Sequence, residues 1–212
     1  VFAAAAVLAA LVLAAPALSR APTPPPAKTT RTYTFEAKVT KNGGMDPLPV
    51  GEAVTATFTY DLAGEPFEVA PKQHGGYRSN KNALAFEYGD LKFASAGVTV
   101  YAGPGLDGNN EYFDVVTTDV KLPKGWEKRG GFQRLHLVLW NAPPDKKAGR
   151  PGPPFKANLD GFKLPLALSL ADWPGLAEFR LEFSTGVTFP GGAVNKPALM
   201  RAAVEKLTAA RR

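Results

Sequence analysis

The chain has 212 residues, no cysteine, two histidines and a formal net charge of +6, with 13 Phe, 6 Tyr and 3 Trp among 21 Gly and 20 Pro. That length suits one well-buried domain rather than two. Without cysteine, stability rests on an ordinary apolar core, and disulfide frameworks, thiol nucleophiles and cysteine-ligated metals are excluded.

Residues 2–18 are all apolar or proline, and small residues at Ala15, Ala17 and Ser19 match what a signal peptidase reads. Residues 1–21 are therefore read as a secretory signal, either cleaved or retained as an anchor, and the expected location is secreted or periplasmic. Residues 22–30 form a Pro-rich linker that cannot bury a face.

The domain is expected over 31–192. Residues 32–41 alternate, with Tyr33, Phe35, Ala37 and Val39 inward, and Asn42-Gly43-Gly44 signals a turn. Residues 50–61 form the clearest strand, with Val54, Ala56, Phe58 and Tyr60 on one face and Thr55, Thr57 and Thr59 on the other. Gly64, Pro66, Pro71 and Gly75-Gly76 interrupt 62–82, which reads as loop with a short strand near Tyr77. Short strands follow at 84–88, 91–93, 98–101 and 111–119. In 132–140 the apolar residues are out of phase, which predicts either a bulge near Gln133-Arg134 or burial on both faces. The proline-rich stretch 142–154 is an exposed excursion, a short element is expected near 164–170, and 177–184 alternates as the last major strand.

After Gly191-Gly192, Pro197 suits a first helical position, and Met200, Ala203, Val204 and Leu207 fall on one helical stripe. Residues 193–212 are thus predicted to be a basic amphipathic helix that docks on the domain or touches anionic lipid weakly. The expected fold is all-β: a monomeric antiparallel β-sandwich, jelly-roll or Ig-like, with a peripheral C-terminal helix.

The succession VGEAVTATFTYD, GGY, GDLKF, the strand at 112–116 and LPLALSLADW followed by AEFRLEF resembles a class of exported bacterial β-sandwich proteins, many of which end in a PEP-CTERM envelope-sorting signal. The resemblance spans about residues 31–190 and implies an extracytoplasmic, mostly non-catalytic protein. The Pro-Glu-Pro signal itself does not occur in this sequence, and no functional residue carries over.

Candidate sites are few. Asp107, Asn109 and Glu111 place oxygen ligands at alternate positions, with Asp114 close behind, so calcium is one reading of this stretch and a Gly-Asn-Asn hairpin turn is the other. Gly103, Gly105 and Gly108 match GxGxxG in form only, because a β-rich run rather than a helix follows. No GxSxG elbow accompanies His74 or His136, so no catalytic residue is assigned. Asp61, Glu65, Glu68, Asp114 and Asp172 leave a paired-carboxylate hydrolase as the alternative. Tyr101, Tyr112 and Trp126 are the candidate ligand-binding aromatics, able to stack on sugar rings, while Trp140 and Trp173 read as core. The Lys and Arg residues are not interleaved with aromatics, so nucleic acid is not an expected partner. The expectation is a binding or structural module of the envelope or extracellular matrix, with polysaccharide or an envelope component as partner.

Overall fold

The computed structural model describes residues 28–43, 48–70, 73–104, 111–128, 133–141, 159–183, 187–189, 192–194 and 198–210. The expected leader, Asp107, Asn109 and the excursion at 142–154 lie outside them.

The first two strands, β1 (Thr30–Gly43) and β2 (Ala53–Asp61), pair antiparallel with Tyr33 opposite Phe58 and Phe35 opposite Ala56. Their alternation sends Tyr33, Phe35, Ala37, Val39, Val54, Ala56, Phe58 and Tyr60 into the core. On the other face, Thr32 and Thr59 hydroxyls meet at 2.9 Å. Rings on the inner face stack across the pair, with Tyr33 and Phe58 centroids 5.4 Å apart. Apolar residues inside and threonines and charges outside are the reverse of a lipid-facing barrel.

Two hairpins follow, β3 (Glu65–Ala70) with β4 (Gln73–Arg78) and β5 (Ala83–Tyr88) with β6 (Leu91–Ala96). Next come β7 (Thr99–Pro104), β8 (Glu111–Thr117), β9 (Asp119–Lys121), β10 (Glu127–Lys128) and β11 (Gln133–Trp140). The last are β12 (Leu176–Phe183), β13 (Val187–Phe189), β14 (Gly192–Val194) and β15 (Ala198–Ala209). Twelve strands make one antiparallel sheet in the order β3-β4-β7-β8-β11-β12-β15-β1-β2-β5-β6-β9, and β10-β13-β14 form a small second sheet.

The expected two-sheet sandwich is thereby corrected to a curled, half-barrel sheet of twelve strands beside the small three-stranded one. Strand β9 pairs with β6 at one edge, yet Thr118 alone separates it from β8, which pairs with β7 and β11 far along the sheet. The curl thus brings an edge back to a chain run already inside the sheet, and one aromatic core fills the concavity.

The predicted C-terminal helix is also corrected: 198–209 is β15, inserted between β1 and β12. Met200, Ala202 and Val204 alternate into the core and are buried. The β1 register then shifts between Glu36↔Lys206 and Ala37↔Val204, so Glu205 is an extra residue on β15. This bulge changes the parity, and Leu207 comes to lie opposite Phe35 and packs on the core. Spacings of four and three from Met200 to Val204 to Leu207 mimic a helical stripe, although a bulged strand produces them. Pairing on both sides overrides the weak strand propensity of an Ala-rich segment.

The stretch read as loop, 62–82, is instead the β3–β4 hairpin. Pro66 is tolerated because β3 is an edge strand. A Cβ on Gly76 would lie 2.5 Å from the Phe67 ring, so this glycine is a seat for an aromatic rather than a breaker. In β11 the register with β12 runs unbroken from Gln133↔Phe183 to Trp140↔Leu176. Leu135, Leu137 and Leu139 are buried on one face and His136 and Val138 on the other, so the phase irregularity reflects burial on both faces, not a bulge.

Around 164–170 the chain is an irregular plug with one 3-10 turn at Leu170–Asp172, and no α-helix occurs among the described residues. Leu164, Leu168 and Trp173 enter the core. The Tyr60 hydroxyl donates to Pro165 O at 2.7 Å, and the Leu168 amide donates to the Tyr33 hydroxyl at 2.9 Å. The plug is therefore fastened to the two strands it covers.

Candidate functional site

The face turned away from the aromatic core carries the features that core packing does not explain. Register across the sheet places Phe67, Gly76, Tyr101, Asp114, Val138 and Glu178 in one row. Gly76 leaves a gap in that row, which lets Phe67 meet Tyr101 edge-on at 6.2 Å, and the Arg78 guanidinium lies 4.1 Å over the Phe67 ring. One row along, Tyr112 stands between Gly103 and Trp140. The row on the other side runs Glu65, Arg78, Thr99, Val116, His136 and Arg180.

Three sequence-predicted residues, Tyr101, Tyr112 and Asp114, are thus brought together. Burial raises the Tyr112 phenol far above its ordinary value, helped by Asp114 and then by Tyr101. His136 joins them, its Nε2 3.2 Å from Asp114 Oδ2. Neighbouring charges are paired: Arg180 Nε with Glu178 Oε2 at 2.5 Å, and Arg134 Nε with Glu182 Oε2 at 3.5 Å.

The described half of the predicted calcium set does not converge. Glu111 shares the face of Phe113, where its carboxylate accepts from Asn141 Nδ2 at 3.1 Å and the Leu159 amide at 3.3 Å, while Asp114 occupies the opposite face. Glu111 fastens the plug to β8. Among the described residues no three His, Cys, Asp or Glu side chains gather. Trp126 is buried and meets Phe93 edge-on at 5.2 Å, so its indole closes the core edge. Trp173 is core, whereas Trp140 stands half-buried beside Tyr112 on the outer face.

An open groove of about 780 Å³ adjoins the face, lined by Glu65, Arg78, Ser79, Asn80, Asn82 and Thr99 among others. Its floor is held by a polar network. The Asn82 side chain accepts from the Asp61 amide at 2.9 Å and donates to Val98 O at 3.2 Å. Asp61 in turn accepts from Ser79 Oγ at 2.9 Å and the Ala63 amide at 3.1 Å, with Lys81 at 3.5 Å. Burial pushes the Asp61 pKa up, but hydrogen bonds from Thr29, Ala63 and Ser79, with the Lys81 charge, bring it below the ordinary carboxylate value. Glu65, Arg78 and Asn80 are exposed above that fixed floor. Glu65 is the one carboxylate among the described lining residues of the groove.

His136 was not legible as a site residue in the sequence, since a single histidine in a strand carries no spacing signal. Its even-numbered position, out of phase with Leu135, Leu137 and Leu139, is the clue to its face. No protein-family model, no curated protein and no solved structure matches this chain.

Proposed function

We propose that the protein is an exported, non-catalytic module that binds a polysaccharide of the cell envelope or extracellular matrix along this groove. The observation that carries the reading is an open groove on a rigid polar floor, where a cation, an anion and an amide are exposed beside an aromatic row. Sugar chains present hydroxyls to such polar groups and apolar ring faces to aromatics. The Arg78 guanidinium, held over Phe67, joins the two surfaces. The apolar stretch at 2–18 and the resemblance to exported β-rich proteins support the extracytoplasmic setting. Hydrolysis by paired carboxylates needs two acids across a cleft, and Glu65 as the one acid in the described lining favours binding.

Affinity gel electrophoresis against a panel of soluble anionic and neutral polysaccharides tests this. Retardation is expected with at least one polymer, and Arg78→Ala or Asn80→Ala should weaken it at least fivefold without moving the melting temperature. No retardation by any polymer, or retardation unchanged in both variants, would overturn the proposal.

A further inference from the structure

We infer that Asp114 and His136 form a binding site for a divalent transition-metal ion of the borderline class, such as zinc, nickel or copper(II). Imidazole nitrogen with carboxylate oxygen is the donor pair such ions accept.

Geometry is the first support. Nε2 of His136 and Oδ2 of Asp114 are 3.2 Å apart, yet they lack the alignment of a hydrogen bond. Two ligands of one ion, each bonded at about 2.0–2.2 Å, sit about 3.0–3.5 Å from one another. The observed separation falls in that span, with both donors free to address a point beside the line between them.

Unspent bonding capacity is the second. His136 is nine-tenths buried, and among the described residues neither its Nδ1 nor Asp114 Oδ1 has a hydrogen-bond partner. A simple ion pair here would bury a second imidazolium N–H with no acceptor, an arrangement that folded proteins avoid.

Local charge is the third. Arg180 and, at 3.9 Å, Arg201 share Glu178, and Arg134 pairs with Glu182, so His136 is the charge partner that the described residues give Asp114. Burial then selects the ligand's size. The Asp114 side chain keeps 19% exposure and the His136 side chain 11%, an opening that suits an ion and excludes a sugar ring. The site is separate from the groove and does not rest on polysaccharide binding. Water completes the coordination sphere, with the Tyr112 phenol at its margin.

Thermal melting of the full chain with Zn²⁺, Ni²⁺ or Cu²⁺ at ~1 mM tests the site. Binding at about 100-fold over Kd should raise the melting temperature by about 5–10 °C. His74→Ala should keep that rise; His136→Gln and Asp114→Asn should abolish it. Calcium, which prefers oxygen ligands, should give no comparable rise. If either site variant fails to fold, histidine-selective ¹⁵N spectra of the wild type decide. Zinc must move a His136 ring nitrogen, and movement of His74 alone overturns the inference. No thermal shift with any of the three metals, or a shift that survives His136→Gln, also overturns it.

Discussion

Deleting Glu205 separates a bulged strand from a helix in the C-terminal segment. In β15 this exposed residue is set aside as a bulge, which leaves Val204 and Leu207 both inward, opposite Ala37 and Phe35. Without it, Lys206 follows Val204 directly and the ladder runs regularly through Ala37↔Val204, Glu36↔Lys206 and Phe35↔Leu207, so no buried side chain leaves its place. This deletion should stay within about 1 kcal/mol of wild type. Deleting Ala203 instead must place Glu205 in the buried Val204 position opposite Ala37 or release the pairing beyond Ala202. Either outcome forfeits burial of the Val204 side chain, about 1.5–3 kcal/mol, and adds a buried carboxylate or a few lost ladder hydrogen bonds at a net ~0.5–1.5 kcal/mol each, at least about 3 kcal/mol in all. For a domain of this size that lowers the melting temperature by about 6–12 °C. In a helix either deletion would turn the residues that follow by about 100° and the two would cost alike. Urea unfolding followed by tryptophan fluorescence measures both, and equal losses in the two deletions would refute the bulge.

Asp61→Asn should lose about 1–3 kcal/mol at neutral pH, since the buried carboxylate anchors the Ser79 and Ala63 donors. The folded pKa lies below the unfolded one, so this contribution is full above about pH 4 and drains away as pH falls through the folded value. Urea curves from pH 7 to pH 3 should show the gap between variant and wild type closing, and a constant gap would refute it. Gly76→Ala should displace the Phe67 ring, which a Cβ would approach to 2.5 Å. Because that ring is half-exposed it can swing aside, holding the cost to about 1–2 kcal/mol, and an unchanged Arg78–Phe67 geometry in a crystal of the variant would contradict the steric account.

Strands whose alternation is uninterrupted were legible in the sequence. Residues 32–41, 50–61 and 177–184 coincide closely with β1, β2 and β12, because one buried face imposes period 2 on the residues themselves. Two devices hid the rest. Glycines that admit a ring looked like breakers at Gly75 and Gly76, and one extra residue gave β15 a helical spacing. Sheet order was not readable either, since β15 finds its neighbours through the unpaired edges of β1 and β12 rather than through its own propensities. For the site, Tyr101, Tyr112 and Asp114 were named from the sequence, but their convergence depends on Tyr101 lying opposite Asp114. His136 joins them through the β8–β11 register, set between strands that a long run of chain separates.

The Asp114–His136 pair also tests what a buried polar contact is for. On a surface that is buried on both faces of β11, apolar residues would pack at no desolvation cost, as Val138 does beside the pair. Replacing a buried ion pair by hydrophobic residues of similar volume is commonly neutral or stabilising, whereas removing one partner leaves the other uncompensated. With side-chain exposures of 19% and 11%, solvent softens that penalty, so either single change, Asp114→Val or His136→Leu, should cost about 2 kcal/mol. The double variant should recover to wild-type stability or exceed it in metal-free buffer, giving a coupling of about 4 kcal/mol in the cycle. Such recovery means that folding does not require these two residues, which leaves their donor atoms available to a bound ion. A double variant as unstable as the sum of the singles would show no coupling, so that each side chain supports the β8–β11 contact on its own and the pairing is refuted.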